Sequence, residues 1–289
     1  MHKEDIIKLA GDFIKTDPGN RISRRFALED SLIGVQMYDD PLVGFGSAQD
    51  FYFERFKEPG VIGPHFKKPE EWLENARTVI SIFLPASQRV RNDNKTDMKW
   101  PSPAWLYTRI EGQAMIGHLI RLLQQSIQAA GYEAVVPVSD WRFKAWEAPG
   151  GSDDGPLYNS NWSERHAAFV CGLGTFGLSK GLISSKGVAG RYTSLVTSLH
   201  LPPSTREYDG IYDNCSRCGA CAKNCPVQAI SLETGKDHTK CAAFIRLTKE
   251  KYSPRYGCGK CQVKVPCESR ACRKAAISKP DGSPGIPIF

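Results

Sequence analysis

The segment Cys215-Ser-Arg-Cys218-Gly-Ala-Cys221-Ala-Lys-Asn-Cys225-Pro226 decides how this chain is read. Cysteines spaced by two, two and three residues and closed by a proline form the run that ligates cubane [4Fe–4S] clusters. Three thiolates from one tight loop reach three irons of a single cube, and the fourth is turned toward a second cube. The alternative for such a run is a zinc knuckle. Further cysteines downstream favour clusters: Cys241, Cys258 and Cys261 complete a set of four with Cys225 for the second cube. The first cube, with Cys215, Cys218 and Cys221, needs one more ligand. The regular repeat puts it where Val265-Pro266 stands, so Cys267 is the expected replacement and Cys272 the reserve.

Nine of the ten cysteines lie between Cys215 and Cys272; Cys171 alone falls outside and reads as a buried structural thiol. Such local clustering reads as metal binding rather than a disulfide framework. The charge is equally uneven. Within 210–289, Lys and Arg outnumber Asp and Glu fourteen to six, a net +8, whereas the whole chain carries +7. A basic end suggests nucleic acid or acidic partners. Two oxidised cubes with eight thiolates would bring about four negative charges, so much of the excess serves to hold anionic cofactors.

Upstream, 289 residues with 41% apolar content suffice for a large domain followed by a small one. Thr78–Leu84, stopped by Pro85, predicts a buried strand, preceded by a helix-like stretch from Pro69 to Arg77. Ile116, Ile120, Leu123 and Ile127 predict one apolar stripe on a helix between Thr108 and Ala130, with Gly131 as its stop and His118 as an ordinary helix residue. Strands are expected over Tyr132–Val138 and Arg191–Leu199, with a long loop from Trp141 to Trp162 and a linker at Leu201-Pro202-Pro203. This alternation predicts a mixed α/β domain over 1–203 and a ferredoxin-like domain over 204–289. The glycines 172, 174 and 177 allow a close backbone approach to something flat or anionic, but a helical segment rather than a strand precedes them, so no Rossmann fingerprint is read. No apolar stretch near the start is long enough for a signal or membrane helix, and Ser23-Arg24-Arg25-Phe26 is followed by Glu29-Asp30 where an export signal needs apolar residues. A cytoplasmic protein with no membrane association is expected.

Ala76–Ser81, the helix through Leu122, Glu164-Arg165-His166-Ala167 with Gly172-Leu173-Gly174 and Gly177, and the paired cluster motifs occur in the order found in epoxyqueuosine reductases. The chain resembles that family and, more distantly, the reductive dehalogenases. The resemblance implies a nitroreductase-like α/β domain carrying base-off cobalamin, with electrons delivered from two [4Fe–4S] clusters to the cobalt for reduction of a small or nucleoside-type substrate. It further implies that Gly172, Gly174, Gly177, Ser179 and Lys180 meet the corrin, together with Arg165, for which a surface ion pair with Glu164 is the alternative. The family's catalytic Asp slot, seven residues before Arg165, holds Tyr158, which as an un-ionised phenol can donate a proton; Asp140 is its rival. An electron donor such as a ferredoxin or flavodoxin is implied. tRNA is a less favoured partner, because no C-terminal extension for gripping it is present. The rival reading is a two-cluster electron carrier without a substrate of its own.

Overall fold

The computed structural model describes residues 1–147 and 158–272. Its centre is a four-stranded antiparallel sheet of β1 (Leu42–Ser47), β2 (Thr78–Pro85), β3 (Ala134–Val135) and β8 (Gly190–Thr197), in the order β1-β2-β8-β3. Every residue of β2 is buried. Ile80, Ile82 and Leu84 point into one apolar layer and Val79 and Phe83 into another, the alternation that pleating imposes. An antiparallel strand this apolar on both faces requires cover on both sides.

On one face lie helices α1 (Lys3–Thr16) and α2 (Glu111–Ala129). The predicted stripe Ile116, Ile120, Leu123 and Ile127 is buried there, and His118 is exposed. Gly131 follows the last turn at φ +87°, the left-handed conformation that ends helices. On the other face lie α3 (Glu164–Val170) and an aromatic layer in which Trp162 stacks between Phe53 and Phe66, at centroid distances of 6.1 and 5.8 Å. Cys171, just past α3, is buried and donates its thiol to the carbonyl of Val79 at 3.2 Å; desolvation pushes its pKa far up, the state of an inert packing residue.

Two elements are shorter than their sequence patterns suggest, and one expected loop contains strands. The helix from Pro69 stops at Trp72, where Leu73 turns extended. The third strand keeps only Ala134–Val135, because Pro137 starts a 3₁₀ turn that ends at Ser139. The expected loop between Trp141 and Trp162 contains a strand pair, β4 (Ala145–Glu147) with β5 (Tyr158–Ser160). The mixed α/β character is as expected; the sheet is antiparallel throughout its four strands.

The linker is laid on the sheet rather than hanging free. Leu201 is buried and its amide donates to Thr78 Oγ1 at 3.0 Å, while Ser204 exchanges two bonds with Phe45. Beyond it, the cysteine-rich part contains a short hairpin, β9 (Ile230–Ser231) with β10 (Gly235–Lys236), and helix α4 (His238–Tyr252).

Candidate active site beside the second cysteine group

The cysteines separate into two groups, as the spacing predicts. Cys225, Cys241, Cys258 and Cys261 line a cavity of about 410 Å³ between the sheet domain and the cysteine-rich part. Cys215, Cys218, Cys221, Cys267 and Cys272 surround a second, smaller hollow. All are free thiols. Burial, the largest influence, pushes Cys221, Cys258 and Cys267 up to about 12. Iron binding must therefore expel protons from these sites, and its positive charge is what makes crowded, desolvated sulfurs stable as thiolates.

Each cysteine is positioned by identifiable contacts. The Ala229 amide donates to Cys225 Sγ at 3.2 Å, the kind of bond that stabilises a ligating thiolate. Cys241 stands in the first turn of α4, whose N-terminus is capped by Asp237 accepting from the Lys240 amide. The Cys258–Cys261 loop is locked to the large domain: Asn94 donates to the Cys258 carbonyl, and the fully buried Lys260 ammonium donates to Asn94 at 2.7 and 2.8 Å. Gly259 has φ +71°, and a Cβ there would lie 2.1 Å from the Trp105 ring, so only glycine fits. Around the first group, Asn214 joins the cysteine loop to the hairpin of β6 (Gly174–Phe176) and β7 (Leu182–Ser184) through Thr175 and Ile183. The Val188 amide donates to the Cys267 carbonyl at 2.9 Å, and the Cys272 amide to the Asn214 carbonyl at 3.2 Å. Both candidates for the extra ligand thus face the hollow. Cys267 packs beside Cys215 and Cys221.

The large cavity contains one acid that the sequence reading did not single out as catalytic. Glu164, at the start of α3, lines it. Trp162 Nε1 donates to Ser194 Oγ at 3.0 Å, and Ser194 Oγ donates to Glu164 Oε2 at 2.5 Å. The other oxygen, Oε1, is sealed from solvent without a hydrogen-bond partner. Desolvation pushes this carboxyl up to about 7, with the Ser194 bond opposing it weakly. The residue has accessible surface, yet the carboxyl itself is enclosed, and the carboxyl sets the titration. Arg165 borders the same cavity and, instead of pairing with Glu164, donates to the Lys180 carbonyl.

The other sequence-predicted residues lie elsewhere. Gly174 pairs with Ser184 in the β6–β7 hairpin, and a Cβ on it would meet the Ile183 carbonyl at 2.1 Å. A Cβ on Gly172 would approach Thr205 and Ser204, and one on Gly177 the Ile183 side chain. Gly177 and Ser179 line the hollow of the first cysteine group, and Lys180 is placed near Lys236 and Arg165. Asp140 is a structural clamp: Arg142 donates to both of its oxygens at 2.8 Å and also to the carbonyls of Glu71 and Trp72. The Arg142 bond holds the Asp140 carboxyl below its ordinary range, which leaves it no proton to give near neutral pH. The backbone of Tyr158 pairs with Glu147; its side chain lies outside the described residues.

Residues 210–231 match the 4Fe-4S binding domain family, which spans the whole cysteine run. No curated protein matches the sequence. Among solved structures, an epoxyqueuosine reductase bound to an epoxyqueuosine-modified tRNA-Tyr stem loop aligns with 92% of this chain and 65% of its own, at 16% identity and a TM-score of 0.51. The epoxyqueuosine reductase of Streptococcus thermophilus aligns with 78% of this chain and 62% of its own, at 20% identity and 0.45. A reductive dehalogenase aligns with 84% of this chain and 33% of its own, at 15% identity and 0.45. The chain thus spans less than two thirds of the length of these proteins. Among its described residues, no helix is long and apolar enough to cross a membrane. The chain carries a 4Fe-4S binding domain and shares its fold with the epoxyqueuosine reductases, which is where the sequence resemblance pointed.

Proposed function

We propose that the chain is an iron–sulfur reductase in which two [4Fe–4S] clusters form a wire ending at the 410 Å³ cavity. The observation that carries this reading is that cavity's wall. Four cysteines of one cluster and a sealed carboxyl with a pKa of about 7 border the same space. A reduction that consumes electrons and a proton needs both there. Glu164 suits the proton because a general acid works best when its pKa is near the working pH. Trp162 and Ser194 fix its orientation through one oxygen, and Oε1 is buried with no hydrogen-bond partner among the described residues. Tyr158 is the second candidate donor.

The large domain is read as nitroreductase-like, and the cavity as the place of a base-off cobalamin. The donor set fits such a group: Arg165 and Lys236, beside the cysteines, can donate to its amide carbonyls. When bound, it would supply a low-potential cobalt centre between cluster and substrate. This chain's own residues hold the proton, through Glu164, and seat the cluster, through Lys260, Asn94 and Gly259. Electrons enter at the first cluster. Cys218 is exposed, and Arg217, Lys223, Lys264 and Arg270 on its loops are exposed as well, a basic rim suited to an acidic ferredoxin or flavodoxin in the cytoplasm. The substrate is a small or nucleoside-type molecule, with tRNA less favoured.

Anaerobic purification from cells supplied with cobalamin, followed by metal analysis, tests this. Two cubes give about eight irons per chain, and one cobalt is expected with them. Irons without cobalt, even after reconstitution, would reduce the protein to an electron carrier.

A further inference from the structure

We infer that the cleft takes an anionic substrate, whose carboxylate or phosphate group is gripped by Arg109 and Arg191. This rests on the reductase reading of the same cleft and adds the chemical class of what enters it.

Five cationic side chains line the cavity: Arg109, Arg165, Arg191, Lys236 and Lys260. Three of them have work beside the second cluster and the proposed cofactor. Lys260 is spent on Asn94, Arg165 is electrostatically coupled to Cys241 and Cys261, and Lys236 to Cys261. An oxidised cube with four thiolates carries about two negative charges, which these cations balance. Arg109 and Arg191 are left over. Their electrostatic neighbours are Tyr38, Tyr256, Arg165 and each other.

Both guanidiniums are aimed by neutral partners, which fix direction without cancelling charge. Arg191 leads into the buried part of β8 and donates through Nε and Nη2 to Gln113 Oε1 at 3.0 and 2.7 Å. Arg109, in the turn before α2, lies over the Tyr256 ring at 4.4 Å from its centroid. Among the described residues, neither forms an ion pair with a carboxylate. Nearby arginines show the contrast: Arg255 is paired with Glu111, and Arg91 with Glu268. Glu164 is the one carboxyl on the cavity wall, and burial holds it toward its neutral form. Two arginines of like charge on the wall of one half-open cleft, neither paired with an acid, offer two planar guanidinium donors to an oxyanion.

The test uses the full iron-loaded chain and calorimetric titration with two probes, benzoate and inorganic phosphate, at low and high salt. One of them is expected to bind, and which one does separates a carboxylate from a phosphate ester. Arg109→Gln and Arg191→Gln should each weaken that binding at least tenfold, with iron content and melting temperature unchanged, while Arg191→Lys recovers part of it. Arg89→Gln, an exposed pair with Asp93, serves as the control and should bind as the parent does. No binding of either probe, or full binding by both glutamine variants, overturns the inference. It is also overturned if the glutamine variants lose retained cobalamin while probe binding is unchanged, because the pair would then serve the cofactor. Dithionite reduction of the clusters, followed by their visible spectrum, reports separately on the reductase reading. Reducible clusters with no anion binding defeat the inference alone, and anion binding without clusters defeats the reductase reading alone.

Discussion

The two cysteine groups are built from similar loops but sit in opposite surroundings. The first has five thiols, an exposed Cys218 and basic side chains on its loops. The second has four thiols, a loop clamped to the sheet domain by Asn94, Lys260 and Gly259, and an opening onto the cleft that holds Glu164. On the proposed reading, one group meets the electron donor and the other the substrate. The difference in exposure is what gives the proposed wire its direction, which no single motif contains.

The largest effect expected is from Cys225→Ser. It should remove the second cube, cutting iron per chain by about half, and abolish substrate reduction while the first cube's spectrum survives. Loss of both cubes, or of neither, would break the division into two groups.

Next comes Glu164→Gln. It keeps the Ser194 contact but cannot release a proton, so turnover should fall about 10²–10⁴-fold with both clusters intact. Turnover of the parent should itself decline as pH rises through about 7, where Glu164 ionises. The same shift bears on stability. The folded carboxyl holds its proton more tightly than the unfolded one, whose ordinary value is 4.5, so its stabilising contribution is complete below that value and is lost as pH rises toward 7. Melting temperatures across this window should fall less for Glu164→Gln than for the parent.

The comparison sharpens on the fifth thiol. Cys267→Ser should convert the first cube to a labile or three-iron form, visible by electron paramagnetic resonance, while Cys272→Ser leaves it unchanged; the reverse result would reassign the ligand. A smaller effect is expected at the basic rim. Raising salt from about 0.05 to 0.5 M should slow reduction by an acidic ferredoxin or flavodoxin several-fold, since exposed charges are screened at such ionic strength. Smallest is Asp140→Asn, which loosens the Arg142 clamp and should cost about 1 kcal/mol, read from denaturant unfolding, with turnover unaffected.

Much of this molecule is legible in the sequence because the signals are local. The cysteine run needs only spacing, since one loop of fixed reach must touch several irons of a cube. The buried strand Thr78–Pro85 and the stripe of Ile116, Ile120, Leu123 and Ile127 follow from periodicity against a two-sided core. The glycines at 172, 174 and 177 are legible as sites of close approach, and among the described residues Ser204 and Ile183 approach them. Asp140 looked like an acid free to react until Arg142, two residues on, closed over it.

By itself the sequence determined that the chain binds iron–sulfur clusters, that two sets of cysteines exist, and that an α/β domain precedes them. Only the tertiary structure decided that Glu164 lines the cavity with a raised pKa, because that value depends on desolvation, opposed by a bond from Ser194 in a separate part of the chain. It also decided that Arg109 and Arg191, far apart in sequence, line one cavity. Spacing along a chain fixes what a single loop can hold, whereas desolvation and the sum of surrounding charges are set by whatever folding brings near.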